Sequence, residues 1–63
     1  MSTIITFDSV LAACAAFDRL LAARWIVSQA HCKVYVLNRT RAEVFAAIPP
    51  YMRRGAIFEG GVS

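Results

Sequence analysis

Thr6 to Arg24 reads TFDSVLAACAAFDRLLAAR, and how this stretch folds decides the architecture. It contains no Gly or Pro and is dense in Ala and Leu, the strongest helix formers, which predicts one long helix. Thr6 is the expected N-cap, its hydroxyl accepting from the free amides of the first turn. Asp8 follows where a carboxylate suits the positive helix end, and Ile5 and Val10 occupy the two staple positions. Phe7, Val10, Cys14, Phe17 and Leu21, with Leu11 and Trp25 at the margin, keep three-and-four spacing and form the expected buried stripe.

Ala12, Ala16 and Ala23 line up on another side, flanked by Ala15, Arg19 and Ala22. Such a face is either solvated, using Ala for helix propensity, or a close-approach surface for a second helix. The second reading makes Ala12, Ala16 and Ala23 the candidate self-association residues. At the far end Ile26 and Val27 leave the stripe. No Gly marks a stop, so the helix is expected to run to about Ser28; the alternative is extended chain at Trp25–Val27 that pairs back on the next strand.

Beyond the helix, Gln29 to Cys32 reads as a connector. Lys33 to Asn38, KVYVLN, is the clearest strand, rich in Val and Tyr and bounded by polar residues. Val34 and Val36 point one way, Lys33, Tyr35 and Leu37 the other. Both faces are largely apolar, so the strand is expected to be covered on both sides or to lie at an interface. Its backbone must pair with Ala56–Glu59, with Ile4-Ile5, with Trp25–Ser28 or with another chain. Met1 to Ile5 is an edge strand or an apolar lead into the helix.

Thr40-Arg41-Ala42-Glu43 is a capping box opening a second helix to about Ile48, which Pro49-Pro50 stops. Tyr51 to Gly55 reads as a basic connector, Ala56 to Glu59 as a short strand, and Gly60 to Ser63 as a frayed tail. The expected fold is α+β: a single domain over 1–63, with helices at about 6–28 and 40–48 and strands at about 33–38 and 56–59. The long N-terminal helix packs on a small sheet of two or three short strands beside the second helix.

A chain of 63 residues has little interior, yet 59 % of it is apolar or aromatic. That surplus points to an interface and to a homo-oligomer. A membrane span is not expected, because Asp18, Arg19 and Arg24 interrupt the apolar run well short of about 20 residues. No basic region precedes that run, so no signal peptide is expected and the protein reads as cytoplasmic. Residues 1–30 carry balanced charge; the net +3 resides in residues 31–63.

Catalytic chemistry finds no support in the sequence. One His and two Cys cannot furnish the four ligands of a structural zinc site, so no metal or cofactor is expected. Cys32 and Ser28 lack a separated base and an oxyanion turn, and Gly55, Gly60 and Gly61 form no phosphate loop. The chain is expected not to be an enzyme. It reads instead as a small interaction module, a regulator or inhibitor that binds a larger protein partner, with a size and style that suit a phage or mobile element. The candidate contacts are Tyr35, Arg39, Arg41, Tyr51, Met52, Arg53 and Arg54, of which Tyr51–Arg54 has the composition best suited to an interface. The alternative is a basic nucleic-acid-binding protein that uses Arg39, Arg41, Arg53 and Arg54 on phosphates.

Overall fold

In the computed structural model, which describes residues 2–61, the chain runs β1 (Ser2–Thr6), α1 (Val10–Ala22), β2 (Val27–Ala30), β3 (Lys33–Leu37), α2 (Arg41–Ala47), α3 (Pro50–Arg53), β4 (Ile57–Gly60). The fold is α+β, with a 13-residue helix packed on an antiparallel sheet of four strands, where two or three were expected. Met1, and Val62 and Ser63 of the expected frayed tail, lie outside the described residues.

Strand order is β2-β3-β1-β4, every neighbouring pair antiparallel. The β1 segment is therefore central, not an edge or a lead into the helix. It pairs with β3 from Ser2↔Leu37 to Thr6↔Lys33 and with β4 from Thr3↔Gly60 to Thr6↔Ile57. β3 is also internal, so KVYVLN has no free edge. Of its four possible partners, Ile4-Ile5 and the Trp25–Ser28 region supply the strands on its two sides. The β1-to-β2 and β3-to-β4 connections each skip one strand, and α1 and α2 close them over the same face.

The covered face holds the core. Ile5, Phe7, Val34 and Val36 rise from the sheet into Ala13, Ala16 and Leu20 of α1 and into Val44 and Ile48 of the α2 segment, all of them buried. Thr3 is the buried polar residue of this face, and its hydroxyl donates to the Arg39 carbonyl at 2.9 Å. A hydrogen-bonded hydroxyl is tolerated at such depth, where an unpaired one is not.

Three features of the expected helix are corrected. Its cap is Ser9, whose Oγ accepts from the Ala12 amide at 3.1 Å, and Thr6 closes β1 instead. Asp8 lies outside the helix, close against Gly55. The β-branched run Thr3-Ile4-Ile5-Thr6 suits a pleated strand and gains two ladders there, which outweighs the cap signal at Thr6.

The buried stripe is also turned by about one residue's step of 100° around the helix. Ala13, Ala16 and Leu20 face the core, Phe17 and Ala12 pack at its sides, and Val10, Leu11 and Leu21 are exposed. The alanine side thus meets the protein's own sheet. Ala16 is buried, Ala12 is half-buried and Ala23 is exposed at the C-cap, so these three residues do not form a free self-association surface.

The helix also stops early. The Arg24 amide donates to the Leu21 carbonyl at 2.9 Å and the Trp25 amide to Leu20 at 3.3 Å. That pair of bonds is a Schellman closure, with Arg24 at φ 65° in the left-handed position usually given to Gly. Chain direction then reverses into β2, so Gln29 and Ala30 belong to a strand, and only His31-Cys32 remain as the turn of the β2–β3 hairpin. His31 takes the left-handed conformation there, φ 55°, and Gln29 Nε2 donates to its carbonyl at 3.0 Å.

The second half follows its local signals more closely. Thr40 Oγ1 accepts from the Glu43 amide at 3.1 Å and Glu43 Oε1 from the Thr40 amide at 2.9 Å, both arms of the capping box. Pro49-Pro50 ends α2, but Pro50 also opens the one-turn α3, where its missing amide costs nothing.

Two substitutions test this description. Arg24→Gly relieves a left-handed side-chain cost of about 1–2 kcal/mol, partly offset by glycine's entropy, and is expected to stabilise the chain by about 0.5–1 kcal/mol in urea unfolding. Ala16→Leu overfills the α1–sheet contact and is expected to cost about 1–3 kcal/mol, whereas Ala15→Leu, on the exposed side, stays within about 0.5 kcal/mol.

Candidate functional site

The seven candidate contact residues fall on three separate parts of the molecule. The register sets the separation. Arg39 and Arg41 follow the Leu37 end of β3, which lies beside Ser2, while Arg53 and Arg54 precede Ile57, which lies beside Thr6 at the other end of β1. The two pairs thus attach at opposite ends of the sheet, although Arg53 reaches back over Phe45, one turn beyond Arg41 on α2.

At the first end, Arg39 is occupied within the fold. Its guanidinium carbon lies 4.4 Å from the centroid of the Trp25 ring, and Nη1 is 3.4 Å from Glu43 Oε2. Gly61 closes over this loop in a left-handed conformation, φ 64°, where a Cβ would collide with the Thr3 hydroxyl. Arg41, at the first position of α2, is exposed. The Glu43 carboxyl is held below its ordinary value, chiefly by the hydrogen bond from the Thr40 backbone and further by Arg39.

At the other end, Pro49-Pro50 and α3 build a corner against β4. Arg53 Nε donates to the carbonyls of Phe45 at 2.9 Å and Ile48 at 2.7 Å, satisfying the C-terminus of α2. The same guanidinium lies 3.9 Å over the Phe45 ring, and Phe45 meets Phe58 edge-on with centroids 5.3 Å apart. Met52 packs on the core. Tyr51 projects from this frame at 75 % exposure, with Arg54 exposed nearby in sequence. Phe45 and Phe58 are the members of the corner that sequence reasoning missed. The β4 register is what brings Phe58 against Phe45.

The third part is the sheet face opposite the helices. Alternation from the buried Val34 and Val36 turns Tyr35 outward, where it is half-buried beside Ile4. Leu37, Ile57 and Ile26 share this face, at 48, 60 and 62 % exposure. KVYVLN is thus covered on one side only. Its second face, with Tyr35 half-buried and Leu37 exposed, is left open by the fold. Ile4, Ile26 and Ile57 were not among the candidate contact residues; strand pairing and the Leu37 amide bond to the Ile26 carbonyl bring them to one face.

Neither thiol is paired: Cys14 and Cys32 are half-buried, and Cys14 Sγ accepts from Gln29 Nε2 at 3.2 Å. Among the described residues no three His, Cys, Asp or Glu side chains converge, no cleft of ligand size is present, and no helix is long and apolar enough to cross a membrane. Comparison of the chain with protein-family models, with curated proteins and with solved structures gives no match.

The lowered Glu43 value gives a pH signature. A carboxyl whose folded-state pKa is depressed stabilises the fold above its unfolded value, and that contribution is lost as pH falls through the folded value. The stability gap between wild type and Glu43→Ala is expected to be full at neutral pH. It should shrink as pH drops from about 4.5 through the lowered value, read by thermal unfolding across an acid series.

Proposed function

We propose that this chain is a small protein-interaction module, a cytoplasmic regulator or inhibitor of a larger protein, and that it presents the α3 corner to that partner. The observation that carries the reading is Tyr51, a large aromatic side chain three-quarters exposed on a frame that Arg53, Phe45 and the two prolines hold still. Aromatic and arginine side chains dominate binding energy at interfaces, and a rigid frame reduces the entropy lost when they dock. Met52 and Arg54 complete the segment, Met52 as support from the core side and Arg54 as a cation at the rim. Exposed apolar surface in so short a chain suits a role that consists of occupying a surface. A phage or mobile-element origin is consistent with this economy of size.

The nucleic-acid reading is less well supported. Arg39 and Arg53 already satisfy groups of their own fold, and the remaining Arg41 and Arg54 stand at opposite ends of α2 and α3. Phosphate binding gains from several cations converging on one backbone, and two separated cations supply little of that.

The test starts from affinity capture with the full chain in extract of its host, followed by binding measurements on the protein retained. Tyr51→Ala is expected to weaken that complex at least about tenfold while leaving the unfolding midpoint unchanged. Arg41→Glu/Arg54→Glu, together with a rise in salt from about 50 to 200 mM, is expected to change affinity only modestly. An unchanged affinity for Tyr51→Ala removes the corner from the interface. A steep loss with salt, carried by nucleic acid in the retained material, moves the function to the phosphate reading.

A further inference from the structure

We propose that the open face of the sheet seats a second copy of this chain in a two-fold dimer. The proposal uses none of the α3 corner, so it stands or falls independently of the partner reading.

The strand registers fix the layout of the face. One row across the sheet is Ala30, Lys33, Thr6 and Ile57; the next is Ser28, Tyr35, Ile4 and Glu59. A third begins with Ile26 and Leu37, joined by the Leu37 amide donating to the Ile26 carbonyl at 2.9 Å, and continues to Ser2. The apolar members run corner to corner through these rows: Ile26 and Leu37, then Tyr35 and Ile4, then Ile57. The two charged residues of the face lie on opposite sides of that diagonal, Lys33 on one and Glu59 on the other. With strands about 4.8 Å apart and about 6.7 Å between successive residues on one face, the two stand roughly 12 Å apart astride the stripe.

This arrangement is self-complementary. A two-fold axis laid along the diagonal brings stripe onto stripe and sets each Lys33 against the partner copy's Glu59, twice over. An isologous contact needs a patch that matches itself in this way. A phosphate backbone or a strongly charged protein surface finds no net charge to respond to here. Edge-to-edge pairing is disfavoured by the outer strands β2 and β4, four residues each, which run into left-handed residues at His31 and Gly60.

The geometry also sets the packing class and the strength. An axis at about 45° to the strands makes the two sheets cross near 90°, the orthogonal class of sheet packing. Four strands about 4.8 Å apart and about five residues long, at about 3.4 Å per residue, give the sheet face roughly 320 Å² of projected area per copy and roughly 650 Å² for the pair, at the small end for a specific contact. A contact of this size marks a weak, transient dimer.

Sedimentation equilibrium on the full chain, from low micromolar to near-millimolar concentration, tests the proposal. Wild type is expected to dimerise in that range. Lys33→Glu and Glu59→Lys are each expected to weaken the dimer roughly tenfold or more, and the double variant Lys33→Glu/Glu59→Lys to restore wild-type association. A monomer at every concentration overturns the proposal. So does a dimer indifferent to the single swaps, or one that the double swap leaves broken. Should a charge swap unfold the chain, Leu37→Gln and Ile57→Gln probe the same face from exposed positions, and an undiminished dimer in both rejects it.

Discussion

The close approach of α1 to β2 and β3 is the contact on which the rest of this structure depends. Ile5 of β1, Phe7 just past its end, and Val34 and Val36 of β3 line the covered face, and those side chains already occupy the middle of the layer. A helix laid over them must bring small residues, and Ala13 and Ala16 do so, with Leu20 reaching in one turn further on. The bulkier Phe17 packs from the side, and Val10 and Leu21 fall beyond the contact. Layers at crystal-like density leave no room for bulk from both sides at once.

That constraint explains why α1 was legible as a helix but not in its rotation. Three-and-four spacing identifies a helix, yet two stripes on α1 satisfy it, one large and one small. The larger stripe is the natural core in isolation; the sheet's own side chains reverse the choice. Its ends were hidden for related reasons. Thr6 and Ser9 are both acceptable caps, and pairing of Ile4 and Ile5 with two strands selects the later one. The Schellman closure carries Arg24 where Gly is customary, so the stop left no mark in composition, and β2 disappeared into the helix with it. Where signals are local and chemically specific, as in the capping box, the Pro-Pro stop and the Val34/Val36 alternation, the sequence sufficed.

The candidate surfaces were legible to the same degree. Tyr51, Arg53 and Arg54 stand out by residue type, but the carbonyls that engage Arg53 depend on how α2 ends. Tyr35 is visible from alternation alone. Ile4, Ile26 and Ile57 become neighbours only through a four-strand register that no single segment encodes. The apolar surplus of the chain is thereby spread over the one-sided core, the bare sheet face and the outer side of the helices, where Val10, Leu11 and Leu21 stand exposed.

A one-sided sheet imposes a relation between its two surfaces. Both helices and the α3 corner occupy one side, and the bare face occupies the other, so a dimer formed through the bare faces turns both corners outward. Each protomer keeps Tyr51 exposed on α3, outside the strands that form the bare face. A partner that is itself dimeric, or that repeats its surface, meets two such corners at a fixed separation. The second engagement becomes intramolecular, and avidity rises without any new contact in either interface. Duplication of a small binding surface is one physical route to tighter binding. That route requires the sheet face and the corner to remain separate, as the antiparallel order β2-β3-β1-β4 with both crossovers on one side makes them.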